Sequence, residues 1–160
     1  RGVIDRFTGW DKQKDEPIVE KVSFSPRYSY AHGETVGKLK FSWIVLTEKE
    51  PPASLLAAKD RAEARRLWCE KEKASFVAVR LDAEGKPDVL LLCPANGKVN
   101  TEMLSTWNGL ESFVVTFQSR DAKRLKGTLV GGDGSCPDDK GGAVYCTPQE
   151  DYAFDAPFFH

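Results

Sequence analysis

Apolar and polar residues alternate in several short runs along this chain. In the run 112–119, for example, Phe113, Val115 and Phe117 share one parity. A period of two predicts a β-strand with one buried face, because successive side chains of a strand point to opposite sides of the sheet. Alternation or short apolar runs predict strands at 18–30, 38–45, 76–81, 89–93, 112–119, 124–130, 143–146 and 152–158. The strongly apolar last run is expected to pair inside the sheet.

One segment has the composition of a helix. Residues 54–73 are rich in helix formers, carry opposite charges at i,i+4 spacing, and begin with Ser54 in position to cap the first turn. A second, short helix is predicted at 100–107. Because strands dominate and turn signals recur every 8–12 residues, we expect a mainly β fold. Its predicted form is an antiparallel β-sandwich or partly open barrel of about eight short strands with one inserted α-helix, at about 54–73.

The ends of the pattern suggest how the chain is organised. Residues 1–16 are polar and lack a clear period, so we expect an irregular N-terminal segment. Residues 17–160 are predicted to form a single β-rich domain, which is an ordinary size for one hydrophobic core.

Charge and hydropathy narrow the function classes. The chain has 23 Lys and Arg against 24 Asp and Glu, and this balance argues against a nucleic-acid binder, which usually carries a basic excess. Arg61, Arg65 and Arg66 are interleaved with acidic residues, which predicts a solvated helix face. The longest apolar run, 89–93, is strand-sized, so no transmembrane segment is predicted.

The four cysteines, Cys69, Cys93, Cys136 and Cys146, favour an exported protein. An even count without Cys-x-x-Cys predicts disulfides rather than a zinc site, and hence a periplasmic or secreted location. Local considerations favour a Cys69–Cys93 bond between helix and strand, and a Cys136–Cys146 bond closing a loop rich in Gly and Asp. The other connectivities, and four reduced thiols, are the alternatives.

No catalytic motif is present, so an enzyme is not predicted. His32 is the only histidine before the last residue, and neither Gly-x-Ser-x-Gly nor His-Glu-x-x-His occurs. Asp133, Asp138 and Asp139 form a weak candidate calcium site, although their spacing does not match an EF-hand. No other cofactor is predicted.

Aromatic and polar residues in or beside turns are the candidate binding residues, since such positions often form binding surfaces. They are Trp10, Tyr28, Tyr30, His32, Trp107, Asp133, Asp138, Asp139 and Tyr145. The alternative interpretation of the aromatic residues is that they close the ends of the core.

These observations lead to one leading hypothesis and two alternatives. The leading one is a non-catalytic binding or inhibitory domain of an exported protein that engages a protein partner through its loops. The alternatives are an extracytoplasmic hydrolase that uses loop carboxylates on a carbohydrate or cell-envelope substrate, and a structural, envelope-associated domain. The oligomeric state is left open.

Overall fold

A computed structural model of the chain describes residues 2–93, 100–103, 114–130, 135–137, 143–145 and 151–160. Its strands are β1 (Gly2–Asp11), β2 (Glu16–Phe24), β3 (Tyr28–Val36), β4 (Leu39–Thr47), β5 (Phe76–Leu81), β6 (Pro87–Cys93), β7 (Asn100–Met103), β8 (Val114–Arg120), β9 (Arg124–Val130), β10 (Ser135–Pro137), β11 (Ala143–Tyr145) and β12 (Asp151–Phe159). Its helices are α1 (Ala53–Leu56) and α2 (Arg61–Glu72). Neither helix has the length and apolar character needed to span a membrane.

Eight strands form one curled sheet in the order β7-β6-β5-β4-β3-β12-β9-β8. The sheet is a half-barrel, which confirms the predicted mainly β fold of the partly open barrel type. An antiparallel sheet was predicted, but the sheet is mixed: β12 runs parallel to β3, with Phe158 opposite Ala31. As predicted, β12 lies inside the sheet, between β3 and β9. The pairs β1-β2 and β10-β11 form two small separate sheets.

Alternation in the central strands gives the sheet two apolar faces. In β4, Ile44 and Leu46 join a core cluster that also includes Leu129 of β9 and Phe154 of β12. Because this cluster draws on both halves of the sheet, it fills the inside of the curl. Trp43 and its neighbours of the same parity pack instead with α1 and α2, on the outer face.

The hairpin between β5 and β6 helps to close the curl. Its turn holds Gly85 at a φ of 85°, a conformation that favours glycine. Arg120 of β8 donates from Nη2 to the carbonyl of Ala83 in this turn, at 3.0 Å. An ideal Cβ at Gly85 would lie 3.2 Å from Phe117 Cε2. The turn between β5 and β6 therefore touches β8, the last strand at the opposite end of the sheet order.

The segment predicted as one helix at 54–73 forms two helices, and Ser54 does not cap either of them. Pro52 occupies the N-cap position of α1, without a side-chain cap hydrogen bond. Asp60 caps α2, since its carboxylate accepts from the backbone N–H of Glu63 at 3.0 Å. An Asp in the middle of a helical pattern favours a helix start, because its short side chain satisfies a free N–H of the first turn. The prediction of one helix rested on helix formers and i,i+4 charge pairs, and it did not take account of Asp60 as a helix start.

Two further segments differ from the sequence-based expectations. Part of the N-terminal segment predicted to be irregular is strand β1, which pairs with β2 from Gly2 to Asp11. The turn that joins them is stabilised by Asp11, whose carboxylate accepts from the N–H groups of Gln13 and Lys14. Asn100–Met103 forms β7 rather than the start of a helix, because it pairs with β6 at the sheet edge. Residues 104–107 lie outside the described residues.

Candidate functional site

The structure describes the side chains of three of the nine candidate binding residues: Tyr28, Tyr30 and His32. All three belong to β3. Trp10 and Tyr145 lie in β1 and β11, but their side chains fall outside the described part of the chain. The remaining candidates, Trp107, Asp133, Asp138 and Asp139, also lie outside it, so the calcium site stays a prediction.

A disulfide bond joins Cys69 of α2 to Cys93 of β6, as predicted. Their Cα atoms are 6.2 Å apart, and both residues are fully buried. The bond fastens α2 to the outer face of the sheet across a sequence separation of 24 residues. On the chain-entropy model, closing a loop of this length stabilises the fold by about 3.5 kcal/mol. Cys146 lies outside the described residues, so the Cys136–Cys146 bond stays a prediction.

Tyr30 and His32 lie under α2, where they meet an arginine that the sequence analysis placed in solvent. Arg65 is only 1% exposed, and its Nη1 donates to Nε2 of His32 at 2.8 Å. Its guanidinium lies 4.7 Å from the centre of the Trp43 ring, a favourable cation–π position. Arg65 is one turn before Trp68 and Cys69, so its position on the buried stripe of α2 was the available signal.

The hydrogen bonds of this cluster fix the tautomer of His32. A guanidinium can only donate, so Nε2 of His32 accepts from Arg65 and the ring proton resides on Nδ1. Nδ1 in turn donates to the carbonyl of Gly33 at 3.1 Å. Burial, together with the charges of Arg65 and Arg61, lowers the pKa of His32 to about 4. His32 is therefore neutral at pH 7, and both of its ring nitrogens are engaged.

Arg65 has no carboxylate partner among the ion pairs of the described residues. Its Nη2 and the hydroxyl of Tyr30 are both buried without a hydrogen bond of regular geometry. They are nevertheless close enough to affect one another: burial raises the pKa of Tyr30, and the charge of Arg65 partly offsets the increase. Aromatic rings and neutral acceptors thus hold the cation, and the cluster packs α2 against the sheet.

A surface cleft of about 400 Å³ opens beside His32, between β3 and the start of α2. The acidic residues that line it are already engaged. Glu34 accepts from Nε1 of Trp43 at 2.5 Å, and Asp60 caps α2. Arg61, which also lines the cleft, donates to the backbone carbonyl of Leu56.

Two of the four exposed large apolar side chains among the described residues lie together at the end of the β3–β4 hairpin, whereas Ile18 and Tyr28 lie elsewhere. Val36 is 48% exposed and Leu39 is 63% exposed, and the two form the last pair of the ladder. The two-residue turn between them begins with Gly37, whose φ is 61°. A positive φ is what the first position of such a hairpin turn requires, and glycine adopts it without strain. We call residues 35–40 the hairpin tip.

The hairpin tip continues a fully paired base. The β3–β4 ladder runs in continuous register from Tyr28 with Thr47 to the tip. Next to the tip, the guanidinium of Arg80 lies 4.1 Å from the centre of the Phe41 ring. Arg80 also donates two hydrogen bonds of 2.9 Å to Asp88. The base of the tip is thereby cross-linked to β5 and β6.

Fold and surface together define a disulfide-bonded, mainly β domain with a half-barrel sheet and an exposed, apolar β-hairpin tip. Comparison of the chain with protein-family models, with curated proteins and with solved structures gave no match.

Proposed function

We propose that this chain is a non-catalytic domain of an exported protein, periplasmic or secreted, and that it binds a protein partner through the hairpin tip. The observation that carries the proposal is the exposed Val36–Leu39 pair at the end of a registered ladder. Apolar side chains on a paired backbone need less backbone ordering on binding than side chains on an open loop, and they suit a pocket on a partner.

The export part of the proposal is supported by the Cys69–Cys93 disulfide. Structural disulfides persist in oxidising compartments and are rare in the cytosol of most organisms. This bond is completely buried, in keeping with a structural role.

The charges around the hairpin tip suggest the chemistry of the partner. Lys38 and Lys40 are exposed beside the apolar pair. A complementary surface is an apolar pocket with acidic groups at its rim. Such charges act mainly on the rate of association and on its salt dependence, whereas the buried apolar side chains supply most of the affinity.

Changing both Val36 and Leu39 to serine is expected to weaken partner binding at least 30-fold, because both apolar anchors are lost, at about 1–2 kcal/mol each. The partner is first captured on the immobilised domain from an exported-protein fraction of the source organism. It is then purified, and its Kd for each variant is measured by titration calorimetry.

Tyr28→Ser is the matched control. Tyr28 is 41% exposed and lies in the same strand, at the end away from the tip. The proposal requires that this variant bind the purified partner within about twofold of the wild type. Loss of binding in Tyr28→Ser with retention in the double serine variant would assign the contact to the opposite end of the hairpin and contradict the proposal.

A further inference from the structure

A polar groove of about 550 Å³ crosses β3, β12, β9 and β8, away from the hairpin tip. Its polar lining includes Arg27, Ser29, Gln118, Lys126, Thr128 and Asp155. None of the residues of the hairpin tip lines it. The groove is therefore a second candidate surface, independent of the one that carries the proposed function.

The groove exists because β12 diverges from β3. The two strands pair only at Phe158 and Phe159 of β12, whereas β12 pairs with β9 from Asp151 to Pro157. Between the diverging strands, the backbone N–H of Asp155 donates to Oγ of Ser29 at 3.1 Å rather than to a strand carbonyl. Gly127 and Ala153 contribute little side chain to the floor. The result is an open trough across these strands.

The groove is positively charged, because the acidic residue in its lining pairs with an arginine that lies outside the lining. Asp155 pairs with Arg124. Arg27 and Lys126 are both exposed, and neither belongs to an ion pair of the described residues. Two cations thus face a trough in which the hydroxyl and amide groups of Thr128 and Gln118 can donate further hydrogen bonds.

We propose that the polar groove binds an acidic, extended segment of a polypeptide. The paired strands β12, β9 and β8 are spaced about 4.8 Å apart, and the diverging β3 lies farther from β12 than that. The groove is therefore at least about 14 Å across, which corresponds to roughly four residues of extended chain. Carboxylates spaced along such a segment can reach Arg27 and Lys126 together, and the neutral polar side chains can contact its backbone. Charge complementarity is thus combined with the length of the trough.

An anionic polysaccharide fits the groove less well. Sugar rings are commonly held by stacking on exposed aromatic side chains. The two phenylalanines that line the groove, Phe117 and Phe154, pack edge to face with each other, and Phe154 is only 3% exposed. Among the described lining residues, no exposed ring is available for stacking.

The test measures binding of a fluorescein-labelled, capped hexaglutamate peptide by fluorescence anisotropy. It is done at 20 mM and 150 mM salt, because the Debye length differs roughly twofold or more between these conditions and the electrostatic contribution changes with it. We expect wild-type binding that weakens with salt, and at least a tenfold loss in the double variant Arg27→Gln, Lys126→Gln. The control, Lys12→Gln with Lys14→Gln, removes the same charge from the exposed β1–β2 turn. Neither residue lines the groove or belongs to the hairpin tip, so this variant is expected to change the Kd less than twofold.

Three results would overturn the proposal. They are equal binding of a capped hexaglutamine peptide, an equal loss in both double variants, and tighter binding of an oligogalacturonate of similar length than of hexaglutamate. Neither double variant changes a residue of the hairpin tip, so failure of the groove proposal leaves the hairpin tip proposal standing, and the reverse also holds.

Discussion

Gly127→Ala is expected to destabilise the domain by on the order of 3 kcal/mol or more, a large share of the roughly 5–15 kcal/mol by which a typical domain is stable. An ideal Cβ at this position would lie 2.0 Å from the carbonyl oxygen of Thr116 and 3.0 Å from Cα of Phe117. Both obstacles are backbone atoms of β8, so the clash cannot be relieved by a rotamer change. The β8–β9 pair must separate, and the register of Phe117 with Gly127 next to the bulge is lost.

Gly33→Ala provides the matched control, because Gly33 also lies in a strand of the main sheet. There the nearest heavy atoms to a Cβ are Phe158 Cζ at 3.8 Å and a backbone oxygen at 3.9 Å, which are ordinary contacts. Urea unfolding followed by circular dichroism measures both variants. A Gly127→Ala variant as stable as Gly33→Ala would show that β8 and β9 do not approach one another as described.

Acidification from pH 7.5 to pH 4 is expected to reduce the free energy of unfolding by about 3 kcal/mol through His32 alone. The pKa of His32 falls from 6.5 to about 4 on folding. Between these values the unfolded chain binds a proton that the folded chain does not, so acid favours unfolding. The stabilisation is complete above pH 6.5 and is lost as the pH falls towards 4.

The groups around His32 account for this direction. Burial contributes most, and the charges of Arg65 and Arg61 add to it, while the Gly33 carbonyl opposes them. A proton on Nε2 would place two cations 2.8 Å apart without water between them.

His32→Gln isolates the effect of the histidine, because the amide oxygen of glutamine can still accept from Arg65. Urea unfolding at a series of pH values should show a smaller decline below pH 6.5 in this variant than in the wild type. Identical pH profiles, or an NMR titration of His32 centred near 6.5, would contradict the assigned environment.

The sequence was sufficient to predict features that depend on local pattern. Local pattern located β4 and β5, and the apolar character of 152–158 predicted that β12 is internal. The run predicted as one strand at 18–30 is divided between β2 and β3, so the position of β3 was not predicted. The Cys69–Cys93 bond also followed from the expected positions of a helix and a buried strand. Each of these inferences needed only a period, a composition or a spacing.

Features that depend on distant partners could not be predicted in the same way. The parallel pairing of β12 with β3 joins segments more than a hundred residues apart, and no local signal fixes its direction. Arg65 resembles its exposed neighbour Arg66 in sequence, yet one is buried against Trp43 while the other pairs with Glu63 and Glu70 at the surface. In the sequence, the two arginines differ only in their position around the helix relative to the buried Trp68.

The sequence pattern also did not predict the hairpin tip as a binding surface, for a different reason. The positions of aromatic residues beside turns predict binding candidates, yet two of these residues, Tyr30 and His32, are buried. Leu39 falls in the alternating run 38–45, which predicts a core position, and Val36 lies between the predicted strands. The exposure of both follows from their place at the end of the β3–β4 ladder.

The central claim, that the domain binds a protein through its hairpin tip, is tested most directly by photo-crosslinking in the organism that produces it. A benzophenone amino acid is placed at Leu39 in one variant and at Tyr28 in another, and each is irradiated in cells or in the exported fraction. We expect a discrete adduct with a second protein from position 39 and none from position 28. An adduct from position 28 alone, or no adduct from position 39 at full expression, would contradict the claim.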